Sequence, residues 1–178
     1  MSKARYACHG LGVLQPIDNL AHDLGRQFGE PQFKIVGGFS PPLEENQIVS
    51  QLTAEIAAGR DLVWIGHSMG AAMGFYLARA QPKWRFRLMI TVDPMNWASN
   101  IGCAEWSRSP PHPGEWTAYG NYGLWINIRT NMPPGAGRMT TRAENCREYS
   151  FPDCSHIGVI SDTRVRKIVF DAMAEARA

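Results

Sequence analysis

Residues 61–79, DLVWIGHSMGAAMGFYLAR, constrain this chain more than any other stretch. The apolar run Leu62-Val63-Trp64-Ile65 has the length and β-branched content of a buried strand. The block from Ala71 to Ala78 is rich in helix formers and free of proline. Between them lies Gly66-His67-Ser68-Met69-Gly70, a G-x-S-x-G. A strand that reverses directly into a helix strains the backbone of its central residue, and bulky neighbours collide there, so the flanking glycines have a physical reason. The serine hydroxyl then stands at the end of a strand and the N-terminus of a helix, whose amides and dipole favour negative charge. The pentapeptide alone arises by chance in roughly one chain in fifteen of this length. The strand before it and the helix after it therefore carry the argument.

The 178 residues, 44% hydrophobic and 19% charged, read as one globular domain over 1–178 with room for a core. A formal charge of +2, with no basic cluster beyond the scattered Arg164, Arg166 and Lys167, argues against nucleic acid or an anionic membrane surface as partner. No run reaches the length of a membrane span, and the N-terminal Met-Ser-Lys-Ala-Arg lacks an apolar signal core. Cytoplasm is the expected location, with release by a non-standard route left open. Cys8, Cys103, Cys146 and Cys154 show no C-x-x-C spacing. Cys8 reads as a small apolar strand residue, and pairing among the other three is not deducible. A zinc site of Cys146, Cys154 and His156 is disfavoured for want of paired ligand spacing, so no metal is expected.

Along the chain, strands are expected at Arg5–Cys8, Phe33–Val36, Leu62–Ile65, Arg87–Val92, Leu124–Ile128 and Arg147–Phe151. Helices alternate with the first four: one capped by Asp18, one after the break at Pro41-Pro42, and one after Ser68. A last helix is capped by Ser161, with Val165, Ile168, Val169, Ala172 and Met173 on its apolar stripe. Residues 95–122, rich in proline and carrying Trp97, Trp106, Trp116, Tyr119 and Tyr122, read as a long excursion over one end of the sheet. Met132 to Arg142 reads as loop. The alternation predicts an α/β fold: a three-layer α/β/α domain with a mostly parallel, six-stranded sheet and helices on both faces. Ligands of such sheets bind beyond the carboxyl ends of the strands. His9-Gly10-Leu11, Ser68, Asp93 and His156 all follow predicted strands and belong on that edge.

A serine hydroxyl becomes a nucleophile when a histidine, oriented by a carboxylate, removes its proton. Of the five histidines, His156 follows the last strand and precedes the last helix, where it can reach back to Ser68. His67 reads as packing that points away from the serine hydroxyl, and His9 as a local hydrogen-bonding residue. His22 lies on a helix and His112 in a proline-rich loop. Asp93 ends the strand after the serine's helix and is favoured as the acid over Asp153, Glu144 and Asp162, although a turn before Pro94 also explains it. The backbone N–H groups of Met69 and Leu11 are the candidate oxyanion donors.

This arrangement resembles the α/β-hydrolase superfamily. His9-Gly10-Leu11 is similar to the oxyanion turn of lipases and esterases, Gly66 to Gly70 to the nucleophile elbow, and His156 to the base after the last strand. The resemblance implies a catalytic triad in the order Ser68, Asp93, His156, with no cofactor. Two departures stand out. The two leading strands of the full family are missing, leaving a minimal, cutinase-sized version. The acid also follows the fourth strand, a position similar to that of pancreatic-type lipases. Trp97, Trp106, Trp116 and Tyr119 are candidates for an apolar substrate wall, which favours a small-molecule ester or lipid-like substrate. The leading expectation is therefore a serine esterase acting through an acyl-enzyme on Ser68. Two alternatives stay open: a non-catalytic binding protein on the same fold, and a doubly wound domain that cradles a nucleotide or phosphate at residues 66–74.

Overall fold

The computed structural model describes residues 3–8, 15–28, 34–36, 41–94, 115–117, 122–130, 138–141 and 145–177. In chain order the elements are β1 (Lys3–Cys8), α1 (Gln15–Phe28), β2 (Lys34–Val36), α2 (Pro41–Ala57), β3 (Asp61–His67), α3 (Met69–Ala80) and β4 (Phe86–Val92). There follow β5 (Glu115–Thr117), β6 (Tyr122–Arg129), β7 (Arg138–Thr141), β8 (Cys146–Ser150), a 3₁₀ turn at Gly158–Ser161, and α4 (Thr163–Glu175).

Strands β3, β4, β6 and β8 form a parallel centre flanked by helices, and β1 and β2 extend it in parallel to one side, giving the order β2-β1-β3-β4-β6-β8. Parallel strands buried on both faces need apolar side chains in both directions, which is why β4 reads FRLMITV without polar alternation. The two-residue period, shifted once at Arg87 where the β3–β4 pairing is irregular, then sorts the core. Leu62, Trp64, Phe86, Met89 and Trp125 pack with α2 and α3 on one face. Val63, Ile65, Leu88, Ile90 and Val92 pack with α1, α4 and the 3₁₀ turn on the other.

Several local expectations need correction. Helix α1 begins at Gln15, so Asp18 lies in its first turn and does not cap it. Helix α2 begins at Pro41: the two prolines form its first turn, where a missing N–H breaks no intrahelical bond. Asp162, not Ser161, caps α4, its carboxylate accepting from Arg164 N; Ser161 closes the 3₁₀ turn instead. Tyr122 opens β6 and packs edge-on to Trp125 in the core, outside any loop. Strands β5 and β7 pair in parallel as a separate two-stranded sheet, so residues 115–117 and 138–141 are not the loop that proline and glycine content implied. Each is too short to show a period, and pairing with a distant segment creates it.

Candidate active site

Ser68 sits where β3 gives way to α3, with φ 57° and ψ −122°. A non-glycine residue at positive φ is strained, and tertiary contacts must hold it there. Here Ser68 N donates to Val92 O on the neighbouring strand at 3.0 Å, and Ser68 O accepts from Ala71 N and Ala72 N, both at 3.1 Å. The turn is tight because Gly66 lets the first turn of α3 lie directly against β3. The residue is 7% exposed. Strain of this kind costs about 1–3 kcal/mol, partly offset in a glycine variant by the greater freedom of the unfolded chain. Ser68→Gly is therefore expected to raise stability by about 1 kcal/mol, or roughly 2–4 °C in Tm, while removing the hydroxyl. A thermal melt that moves down would show that Ser68 is not strained.

Asp93 follows β4, the next strand, and is also at positive φ, 47°. It is fully buried, so every polar atom needs a partner. Its N–H donates to Ile128 O at 2.6 Å. Thr130 N donates to Oδ1 at 3.0 Å, Thr130 Oγ1 donates to Oδ2 at 2.9 Å, and His156 Nδ1 lies 2.5 Å from Oδ2. Burial alone would raise the carboxyl pKa, but the hydrogen bonds from His156 and Thr130 outweigh it and hold Asp93 below the ordinary carboxylate value. Sequence reading passed over Thr130. The edge rule that gathered the other residues applies to it too, since it follows the C-terminal end of β6. One step back, Thr91 and Asn127 join at 2.9 Å, and Asn127 Nδ2 donates to Glu148 Oε2 at 3.3 Å, tying β4, β6 and β8 in register beneath this edge.

An ionised carboxylate only accepts, so the His156 proton facing Asp93 resides on Nδ1 and Nε2 is left as the basic nitrogen. His67 meets the same residue from β3: its Nε2 lies 2.8 Å from the His156 carbonyl, and the two rings stack with centroids 4.7 Å apart. The expected packing role of His67 thus has a definite partner, which strand alternation alone could not name. Among the described residues no hydrogen bond joins Ser68 Oγ to His156.

The other acids have separate partners. Asp153 and Asp162 both pair with Arg164. Cys154 Sγ donates to Asp162 at 3.2 Å, and burial followed by that carboxylate pushes the thiol pKa up, making it a poor nucleophile. Cys146 and Cys154 are both free thiols. Cys154 turns to Asp162 and His156 to Asp93, so the residues weighed for zinc face different partners. The backbone of Met69 opens α3, and Trp116 lies on β5. Leu11, Trp97, Trp106, Tyr119, His9, His112, Cys103 and Glu144 lie outside the described residues.

Solved structures with the α/β-hydrolase fold match this parallel sheet and its flanking helices over nearly the whole chain. The chain is similar to a structure of the metagenome-derived lipolytic enzymes LipS and LipT, with 14% identity and TM-score 0.62 over 99% of this chain and 95% of that one. It is also similar to an esterase/lipase from an uncultured bacterium (11% identity, TM-score 0.59, 99% of this chain and 77% of that one). A third match is the NocB thioesterase domain in covalent complex with a fluorophosphonate nocardicin G analogue (11% identity, TM-score 0.57, 100% and 96%). No protein-family model matches the chain, and no curated protein does. Among the described residues no helix is long and apolar enough to cross a membrane.

Proposed function

We propose that the chain is a single minimal α/β-hydrolase domain of six parallel strands that cleaves a carboxylic ester, with Ser68 as nucleophile, His156 as base and Asp93 as the acid that orients it. The observation that carries this reading is the 2.5 Å contact of His156 Nδ1 with the buried Asp93 carboxylate, at the sheet edge where β3 delivers Ser68. In this reading His156 Nε2 takes the Ser68 proton as Oγ attacks the ester carbonyl. The backbone amides of Met69 and Leu11 are the donors this reading assigns to the oxyanion. Collapse expels the alcohol with the proton from His156, and water then releases the acid by the same steps in reverse. This chemistry draws on no cofactor. The lipolytic and thioesterase neighbours make esters and thioesters the classes to assay first.

The open Ser68–His156 contact favours a second reading, a non-catalytic binding protein on the same fold. One experiment separates the two: intact-mass spectrometry after a fluorophosphonate probe, on wild type, Ser68→Ala and His156→Ala. A single adduct on wild type, absent from Ser68→Ala and slowed by at least about 10³-fold in His156→Ala, is expected. Folded wild type that stays unmodified would replace the hydrolase with the binding protein. The phosphate-cradle reading has no observation that favours it, since the two glycines it invoked are explained by packing within the protein. A Cβ on Gly66 would meet Gly70 O at 2.3 Å and one on Gly74 would meet Trp64 Nε1 at 2.7 Å. Both glycines accommodate close packing within the protein.

A further inference from the structure

From the His67–His156 contact we infer that His67 is a positioning residue for the base: it ties down the main chain of the His156 loop and sets the plane of its imidazole. This inference rests on His156 being the base. Odd-numbered residues of β3 face the layer of α1 and α4, as Val63 and Ile65 do. The loop after β8 folds onto that same layer through Val159 and Ile160, which are fully buried there. His67, at the end of β3, is therefore carried toward the base while Ser68 turns away into α3.

Two contacts act together. A carbonyl only accepts, so His67 Nε2–H donates to His156 O, fixing the loop at the residue whose side chain must stay in place. The stacked ring limits rotation of the His156 imidazole about the Nδ1–Asp93 hydrogen bond. Asp93 fixes one nitrogen; His67 fixes the plane. The remaining titratable groups of the loop, Asp153 and Cys154, are engaged by Arg164 and Asp162, at the start of α4. They leave this task to His67.

Three variants separate the contacts. His67→Gln keeps a donor near the position of Nε2, His67→Phe keeps a ring without the donor, and His67→Ala removes both. Hydrogen exchange at the Cys154, Gly158 and Val159 amides, which are hydrogen-bonded within this loop, reads anchoring without reference to activity. Exchange is expected to rise about tenfold in His67→Ala and His67→Phe and to return toward wild type in His67→Gln. The His156 Nδ1–H resonance, protected by the hydrogen bond to Asp93, is expected to broaden by exchange with water in His67→Ala, and fluorophosphonate labelling to slow by about 10- to 100-fold. Unchanged amide exchange and an unchanged His156 Nδ1–H resonance in His67→Ala would overturn the inference, even where labelling of Ser68 establishes the hydrolase. Faster exchange with a broadened Nδ1–H resonance in a protein that never labels would remove the proposed reaction and, with it, the role of His67 as positioner of a base.

Discussion

Replacing Asp93 by Asn is expected to slow acylation of Ser68 by about 10³–10⁴-fold with the fold intact. Asn tolerates positive φ, so the 47° backbone is kept, and its amide oxygen still accepts from Thr130 N. What changes is the face toward His156. An amide N–H directed at Nδ1 makes that nitrogen an acceptor and moves the imidazole proton to Nε2, the atom that must take the serine proton. The loss should therefore appear in kcat and leave KM nearly unchanged. Stability supplies a second readout. Burial opposes ionisation of Asp93, but the His156 and Thr130 hydrogen bonds prevail and the folded pKa lies below the ordinary value. The carboxylate thus stabilises the folded chain at pH above its unfolded pKa of about 3.9, and that contribution is lost as pH falls through the lower folded value. Urea midpoints of wild type and Asp93→Asn should converge as the pH drops below about 4. Labelling of Asp93→Asn at the wild-type rate would remove Asp93 from the site and return Asp153 and Glu144 to consideration.

The second large effect concerns the backbone that carries Ser68. A Cβ on Gly66 would lie 2.3 Å from Gly70 O, 2.5 Å from Gly70 C and 2.6 Å from Ala71 N. All three are main-chain atoms, so no side chain can rotate out of the way; β3 or the first turn of α3 must move. Ordinary overpacking costs about 1–3 kcal/mol, and this clash sits at or above the top of that range. Gly66→Ala is expected to lower Tm by roughly 10 °C and to displace Ser68, suppressing labelling. Gly59 supplies the contrast. It lies at φ +72° with nothing within 4 Å of its Cβ position, so Gly59→Ala should cost only about 1 kcal/mol of backbone strain and leave labelling unchanged. A Gly66→Ala protein as stable as wild type would show that strand and helix do not pack as closely as described.

The alternation of strands and helices was readable because parallel strands buried on both faces show as unbroken apolar runs, and the helices between them show their period. The strand–turn–helix around Ser68 was readable because tight turns restrict residue type at neighbouring positions. Asp162 as the cap of α4 and the start of α2 at Pro41 were misplaced by a residue or more, since several adjacent residues satisfy the same local rule. Strands β5 and β7 escaped notice because neither has a period of its own.

The sequence by itself determined the order of the main-sheet strands and the four helices, the apolar runs that fill the core, and the edge of the sheet where Ser68, Asp93 and His156 lie. These follow from periodicity and from turn chemistry acting over a few residues. Tertiary structure alone decided which side chains touch at that edge. His156 and Asp93 are 63 positions apart, His67 and His156 are 89 apart, and Thr130 reaches Asp93 across 37. Each meeting depends on the parallel register of β3, β4 and β6 and on a loop folded onto the α1–α4 face. No local pattern records those distances, because they arise only when the layers pack.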